Sequence, residues 1–260
     1  MQSFEVRPDD VWICTYSKSG TAWIIEIVWK ILSASGDIKG DEPLDKAPYP
    51  DFHVFGPVPN HEMLTKAPSP RLIATHLLPK FLPPQLLEKQ PKVLYVARNP
   101  KDVAVSNYHH CNTLPNIKSF DSFQDLLNDF MSGEIIFGEW PDHVLYWWKK
   151  RDEDNVLFSK YEDMKKDLVG TVRMVCKFLG KSLTDEQINS VAQQCTFDAM
   201  KKNKTRDNLC VIAGIDPKDT PFMRKGKVGG WKGSFTVAQS EKMDKWYHEA
   251  IDGTELSFEF

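Results

Sequence analysis

The feature that most restricts the fold is an abrupt change of period near the start of the chain. Val11–Thr15 reads Val-Trp-Ile-Cys-Thr, a short apolar run rich in strand formers, and Thr21–Ser35 then places its apolar residues at helical spacing. Only Tyr16 to Gly20 lie between them. A buried strand followed so tightly by an amphipathic helix is the opening half of a strand-helix-strand unit. Strand-like segments recur at Arg71–Thr75, Val93–Ala97 and Asn155–Ser159. Helix-period stretches fill the gaps: Pro84–Gln90, Lys101–Cys111, Phe120–Ser132, Pro141–Asp152, Lys165–Leu179, Thr184–Gln194 and Thr236–Ile251. This alternation predicts an α/β chain of one domain over residues 1–260, with a central, mostly parallel sheet flanked by helices. Such sheets bind ligands where strand carboxyl ends meet helix amino ends.

Composition narrows the partners. The chain holds 33 basic and 36 acidic residues, a net charge of −3, so it lacks the strongly basic footprint of a nucleic-acid or anionic-membrane binder. The longest uninterrupted apolar run is five residues, far short of a bilayer span. No secretory signal opens the chain. The five cysteines are scattered, with no CxxC pair and no zinc-type spacing, which reads as a reduced, cytoplasmic setting without metal.

Three segments carry anion chemistry against that acidic background. In the first, the strand Val11–Thr15 runs into Ser17-Lys18-Ser19-Gly20-Thr21 and then a helix. Small residues let successive N–H groups converge, the helix amino end adds its dipole, and Lys18 adds a full charge, together suiting a phosphate or sulfate. The Walker A pattern fails, because Lys18 precedes Gly20 and no glycine opens the loop. In the second, the strand Val93–Ala97 ends in Arg98-Asn99-Pro100-Lys101-Asp102, with Ser106 further into the helix. Arg98 can grip a phosphate bidentately and Ser106 can donate a hydroxyl, although on this segment alone a capped helix with Arg98 in a surface salt bridge is the better explanation. In the third, Pro217 to Lys232 holds five basic residues and one acidic, with Phe222 and Met223 before Arg224-Lys225-Gly226. A flat aromatic beside that triplet suits a purine with a phosphate at its edge, while a solvated basic loop is the ordinary alternative.

Taken together, these segments resemble the cytosolic sulfotransferases, which move a sulfuryl group from 3′-phosphoadenosine-5′-phosphosulfate (PAPS) to a hydroxyl or amine and release the 3′,5′-bisphosphate PAP. Thr15 to Trp23 resembles the family's Thr-Tyr-Pro-Lys-Ser-Gly-Thr-Thr-Trp loop. Arg98–Asp102 with Ser106, Tyr161-Glu162-Asp163-Met164, and Phe222–Gly226 followed by Gly229, Trp231 and Lys232 match further motifs in order. The resemblance implies that Lys18, Ser19, Gly20, Thr21, Ala22 and Trp23 hold the 5′-phosphosulfate and stack near adenine. It gives the 3′-phosphate to Arg98, Ser106, Arg224, Lys225 and Gly226, and the nucleoside to Tyr161, Cys195, Phe197, Phe222 and Met223. Ala22 and Cys195 replace family hydroxyls, each predicting a loss of about 1 kcal/mol in cofactor binding.

Sulfuryl transfer, like phosphoryl transfer, is an in-line displacement in which the protein positions groups and stabilises charge. The resemblance places the base at His76, just after the strand Arg71–Thr75, with Lys18 and Ser106 completing the implied catalytic set. Ala74 stands where the family has a lysine; losing such a cation can cost about 3 kcal/mol in barrier. Lys80 is the nearest candidate to replace it. His53, His109 and His110 are read as aromatic-pocket residues, and His61, His143 and His248 as helical or surface positions. Phe52, Phe55, Phe81, His109 and Phe137 are the expected acceptor pocket, suited to a phenol, a sterol-like alcohol or an aryl amine. The chain starts close to its first strand, where family members carry a longer leader, so an open pocket or a chain that is a fragment is expected. Lys232 to Glu241 fits the family's KxxxTVxxxE dimer motif, implying a homodimer. Two alternatives stand beside this reading: a PAPS- or PAP-binding protein with little turnover, which Ala74 supports and His76 opposes, and an ATP-dependent small-molecule kinase, which would need a Walker A loop that the position of Lys18 does not give.

Overall fold

Four strands, Val11–Thr15 (β1), Leu72–Thr75 (β2), Lys92–Ala97 (β3) and Val156–Lys160 (β4), pair in the order β2-β1-β3-β4. Every pairing is parallel. The computed structural model describes residues 4–39, 46–51, 58–113, 117–202 and 223–260. Helices α1 (Thr21–Ala34), α2 (Asn60–Lys66), α3 (Gln85–Lys89), α4 (Pro100–Cys111), α5 (Phe123–Ser132) and α6 (Trp140–Lys149) precede β4. After it come α7 (Tyr161–Lys166), α8 (Leu168–Phe178), α9 (Asp185–Gln194), α10 (Phe197–Lys202) and α11 (Val237–Ile251).

Both faces of the sheet are covered. Trp12 and Cys14 of β1 join Phe130, Trp140 and Trp147 in one apolar cluster. Val11 and Ile13 join Ile24, Ile27 and Ile31 of α1 and Val172 and Val175 of α8 in the other. Alternate side chains of one strand thus serve opposite cores, which is why β1 reads as a continuous apolar run. Each such fully buried aliphatic side chain contributes about 1.5–3 kcal/mol. Beneath the sheet, Arg71 grips Asp10 with Nε and Nη2 at 2.7 and 2.6 Å, both groups buried. Removing one partner would strand a buried charge, at about 3–5 kcal/mol.

Register sets the site. Cys14 pairs with Thr75, Thr15 with Val96, and Val96 with Ser159, so the four strands end side by side. The residues that follow them are Tyr16, His76, Arg98 and Tyr161. The order reverses between β1 and β3, the crevice where open parallel sheets take ligands.

The strands and most helices fall where the sequence predicts. The expected helix over Lys165–Leu179 is instead two, because Asp167 turns its backbone out to φ −138° and its carboxylate caps α8 by accepting from the Gly170 amide at 2.7 Å. The short helices α2 and α10 were not expected from the periodicity. His143 is not a surface residue: it is fully buried, with Nδ1 2.9 Å from the Tyr95 hydroxyl. The imidazole packs between Tyr16 and Tyr95, on the face of α6 that also buries Trp140, Val144 and Trp147.

Candidate active site

The loop after β1 is wound to expose its backbone. Lys18 and Gly20 both take positive φ, 68° and 109°. Gly20 is the N-cap of α1 and makes no side-chain cap, leaving the helix amino end open to an anion. No larger residue fits at Gly20, since a Cβ there would lie 2.8 Å from the Tyr161 ring. Ser19 is buried, and its Oγ has no hydrogen-bond partner among the described residues.

Arg98 leaves the end of β3 and spans two of the three basic segments. Its Nη1 donates to the Lys18 carbonyl at 3.3 Å and its Nη2 to the Lys227 carbonyl at 3.1 Å, while the guanidinium lies 4.3 Å over the Tyr161 ring. Its Nε is buried without a partner among the described residues. Arg98 also lies 3.5 Å from Asp102, in a salt bridge that is largely buried and not the surface pair that is the ordinary alternative. Glu162 fixes the turn by accepting from the Asn99 amide and side chain, each at 2.9 Å. Asp102 accepts from the Gly229 and Trp231 amides, both at 3.0 Å, which ties the third basic segment to the amino end of α4. Lys101, in turn, pairs with Asp244 at 2.6 Å and lies 4.2 Å over the Trp231 ring. Arg224 is close enough that burial and then the charge of Arg98 lower its pKa.

The nucleoside residues form the next wall. Trp23 packs edge-on to Tyr161 with centroids 5.3 Å apart, and its Nε1 donates to the Cys195 carbonyl at 2.8 Å. Gly226 takes φ +58° directly against Phe197, where a Cβ would meet the ring at 2.2 Å. The Cys195 thiol is fully buried in the apolar core, and burial, with Glu26 adding to it, raises its pKa to about 12. The Cys195 carbonyl accepts from Trp23, and the residue packs in the apolar cluster on the α1 face of the sheet. Ala22 lies half-buried in the first turn of α1.

His76 follows β2 at the other side of the loop. Its Nδ1 is 2.7 Å from the Thr15 carbonyl oxygen, which can only accept. Nδ1 therefore carries the proton and Nε2 presents a lone pair, toward which the Tyr49 hydroxyl donates at 3.2 Å. The Phe137 ring stands 5.0 Å away, edge-on. Burial first, then the charge of Lys18, holds the pKa down to about 4, against the opposing pull of the Thr15 carbonyl. The ring is a neutral base at physiological pH.

Several expectations change. His109 is exposed and feels Arg224 and Lys225, so it belongs to the third basic segment and not to an acceptor pocket. It is His110 whose pKa burial, Lys18 and His76 depress to about 3. One residue along a helix turns the side chain by 100°, enough to exchange the two sites. Ser106, half-buried on α4, lies one turn before His110 on that face. Phe81 is 52% exposed and carries Lys80 at 5.2 Å over its ring; the pair turns to solvent, which removes Phe81 from the pocket and Lys80 as a stand-in for the missing lysine. Ala74 is fully buried in the apolar core, its amide donating to the Pro48 carbonyl at 3.3 Å. Phe52, Phe55, His53 and Phe222 lie outside the described residues. Tyr49 was missed; nothing in Pro48-Tyr49-Pro50 marks it apart from an aromatic between prolines.

A sulfotransferase domain model matches residues 8–255. The chain belongs to the sulfotransferase family. It is 39% identical to Sulfotransferase 1C2 of Homo sapiens, over 99% of this chain and 88% of that protein. It is 38% identical to Sulfotransferase 1E1 of Bos taurus over the same shares. Among solved structures, a mouse sulfotransferase, SULT7A1, complexed with PAP superposes with a TM-score of 0.82 at 34% identity, covering 98% of this chain and 87% of that one. Retinol dehydratase complexed with retinol and PAP superposes at 0.86 with 28% identity, covering 99% and 85%. Among the described residues of this sulfotransferase, no helix is long and apolar enough to cross a membrane.

Proposed function

We propose that this chain transfers a sulfuryl group from PAPS to the hydroxyl or amine of a small, aromatic or sterol-like acceptor, with His76 as base. The observation that carries the reading is the position of Lys18. Its carbonyl is held by Arg98 on one side, and its charge bears on His76 on the other. An adenosine carrier with two anionic groups and a reacting hydroxyl can therefore meet at one ammonium.

The residues fit that carrier. The Ser19 Oγ and Arg98 Nε, without partners among the described residues, and the uncapped amino end of α1 at Gly20 are features an adenosine bisphosphate would use. The loop Lys18 to Thr21 would hold the 5′-phosphosulfate, with Ala22 giving backbone only. Arg98, Ser106, Arg224, Lys225 and Gly226 would hold the 3′-phosphate, and Trp23, Tyr161, Phe197 and Met223 the nucleoside. PAPS, when bound, supplies the sulfuryl group. His76 Nε2 takes the acceptor's proton as its oxygen or nitrogen attacks sulfur. Lys18 offsets the negative charge left on the departing phosphate oxygen, a role the buried Ala74 cannot share.

The reading extends to a single domain over 1–260, supported by one sheet that carries both apolar clusters. It also extends to a cytoplasmic homodimer. Thr236 caps α11 in a capping box, and Val237 beside it is 75% exposed, an apolar group suited to a two-fold contact. The test is turnover of labelled PAPS with a panel of phenols, sterols and aryl amines by wild type and His76→Ala. Sulfated product from wild type and its loss in the variant are expected; no product with any acceptor, alongside PAP binding, would leave a binding protein instead.

A further inference from the structure

His143 lies behind the base and takes no part in the chemistry proposed for it. It sits in the first turn of α6, fully buried, with its ring edge-on to Tyr16 at 5.7 Å and stacked on Tyr95 at 5.5 Å. Its Nδ1 is 2.9 Å from the Tyr95 hydroxyl, and its Nε2 is buried with no hydrogen-bond partner among the described residues. Burial, then the charge of His76, lowers its pKa to about 3, and the backbone carbonyls of His76 and Leu77 are among the groups that pull it back up. Those carbonyls can only accept, so Nε2 carries the proton on the side of the turn after β2, while Nδ1 accepts from the Tyr95 hydroxyl. Burial holds that phenol well above its ordinary pKa, so it keeps the proton it donates.

The same ring is linked to the other supports of the base. Tyr16, on which it packs, directly follows Thr15, whose carbonyl accepts from His76 Nδ1 at 2.7 Å. The Tyr16 hydroxyl donates to the Gly138 carbonyl at 2.8 Å, and the preceding residue, Phe137, takes φ 73° and stands 5.0 Å from the imidazole. Phe130 packs on Tyr16 and Trp147 on Tyr95, so both tyrosines are held in place. We infer that His143 is a positioning residue for the base: its Nε2–H, set in place by Tyr95, holds the His76–Leu77 turn so that His76 keeps its proton on Nδ1 and presents Nε2 to the acceptor. The inference rests on the proposed use of His76 as the base. A buried imidazole with one nitrogen short of a full hydrogen bond is costly to keep, and an apolar side chain would fill the same space without that cost, so space-filling is a poor account of His143.

The test uses His143→Leu, which fills the space without a donor, and His143→Gln, which returns an N–H near the Nε2 position. In the ligand-free protein, 15N spectra of His76 are expected to show one tautomer, with the proton on Nδ1, in wild type and in His143→Gln, and a mixture in His143→Leu. In turnover of PAPS with 4-nitrophenol, kcat is expected to fall roughly 10-fold or more in His143→Leu, with the acceptor KM and the PAP affinity within about twofold of wild type, and to recover for the most part in His143→Gln. An unchanged kcat or tautomer in His143→Leu, a PAP affinity that falls in step with kcat, or a His143→Gln no better than His143→Leu would overturn the positioning role. Tyr95→Phe removes only the hydroxyl that sets the His143 tautomer, and it decides the matter where His143→Leu does not fold: a lower kcat at constant PAP affinity is expected, and an unchanged kcat would overturn the role. If wild type does not turn over 4-nitrophenol or any other acceptor, the sulfotransfer reading fails by itself, and the His76 tautomer alone decides whether His143 positions that ring.

Discussion

Gly226→Ala tests how tightly the third basic segment is built against the nucleoside wall. Gly226 sits at φ +58°, a left-handed conformation that costs an alanine about 1–2 kcal/mol. The new methyl would start 2.2 Å from Phe197 Cδ2 and 2.4 Å from Cε2, where ordinary contact begins at 3.4 Å. The ring must retreat by about 1.2 Å, or the Arg224–Gly226 backbone must lift by as much. Either movement separates the aromatic face from the basic pair that it accompanies. Stacking of a base on an aromatic side chain contributes about 1–3 kcal/mol. Losing most of it, together with misplacement of Arg224, predicts PAP binding weaker by roughly 10- to 100-fold. The strain is local, so the melting temperature should fall only by about 2–4 °C per kcal/mol lost. Calorimetric titration with PAP and a thermal melt on the same sample read both quantities. A PAP affinity within twofold of wild type would show that Phe197 and Gly226 do not border the nucleotide, and the reasoning would fail.

Arg98→Lys removes the planar fork that reaches the Lys18 and Lys227 carbonyls while keeping the charge; PAP affinity measured by titration should drop by roughly 10-fold or more, and equal affinity would show that charge alone suffices. Cys195→Ser restores the hydroxyl the family carries but buries it in an apolar core, so the melting temperature should fall while PAP affinity holds; tighter binding would place that side chain in the site after all. With the His76 pKa near 4, kcat/KM should stay level from pH 8 to about 5 and be lost only as pH approaches 4; a decline centred near 6.5 would contradict the buried imidazole. Because His76, His110 and His143 take up protons less readily folded than unfolded, their contribution to stability is complete above about pH 6.5 and drains as pH falls toward 4 and 3. Urea unfolding at pH 5 should therefore give a smaller free energy than at pH 7, and a larger one would refute the burial of these rings.

The parts legible in the sequence are those a local pattern dictates. β1 is five consecutive buried residues, so its bounds coincide with the apolar run, and Gly20 marks the turn into α1, whereas the positive φ of Lys18 has no sign in its residue type. What escaped was decided by contacts distant along the chain. Tyr49 reaches His76 across 27 positions through a hydroxyl, and no periodicity registers a single hydroxyl. His109 and His110 are adjacent and chemically identical; only the packing of α4 sends one toward Arg224 and the other toward Lys18. His143 lies between Tyr16 and Tyr95, which only the fold brings to it. Lys101 and Asp102 read as part of an anion motif, whereas their side chains clamp Asp244, Gly229 and Trp231 and so hold the anion-binding pieces together. Cys195 shows the converse limit: the motif is legible, but which atom of the residue serves it is a matter of side-chain direction.

A crystal structure of this protein soaked with PAP examines the arrangement itself. The 3′-phosphate should lie between Arg98, Ser106 and Arg224, the 5′-phosphate on the Lys18–Thr21 amides, and the gap between that phosphate and His76 Nε2 should admit a sulfuryl group. PAP bound elsewhere, or bound with its 5′-phosphate turned from the imidazole, would contradict it.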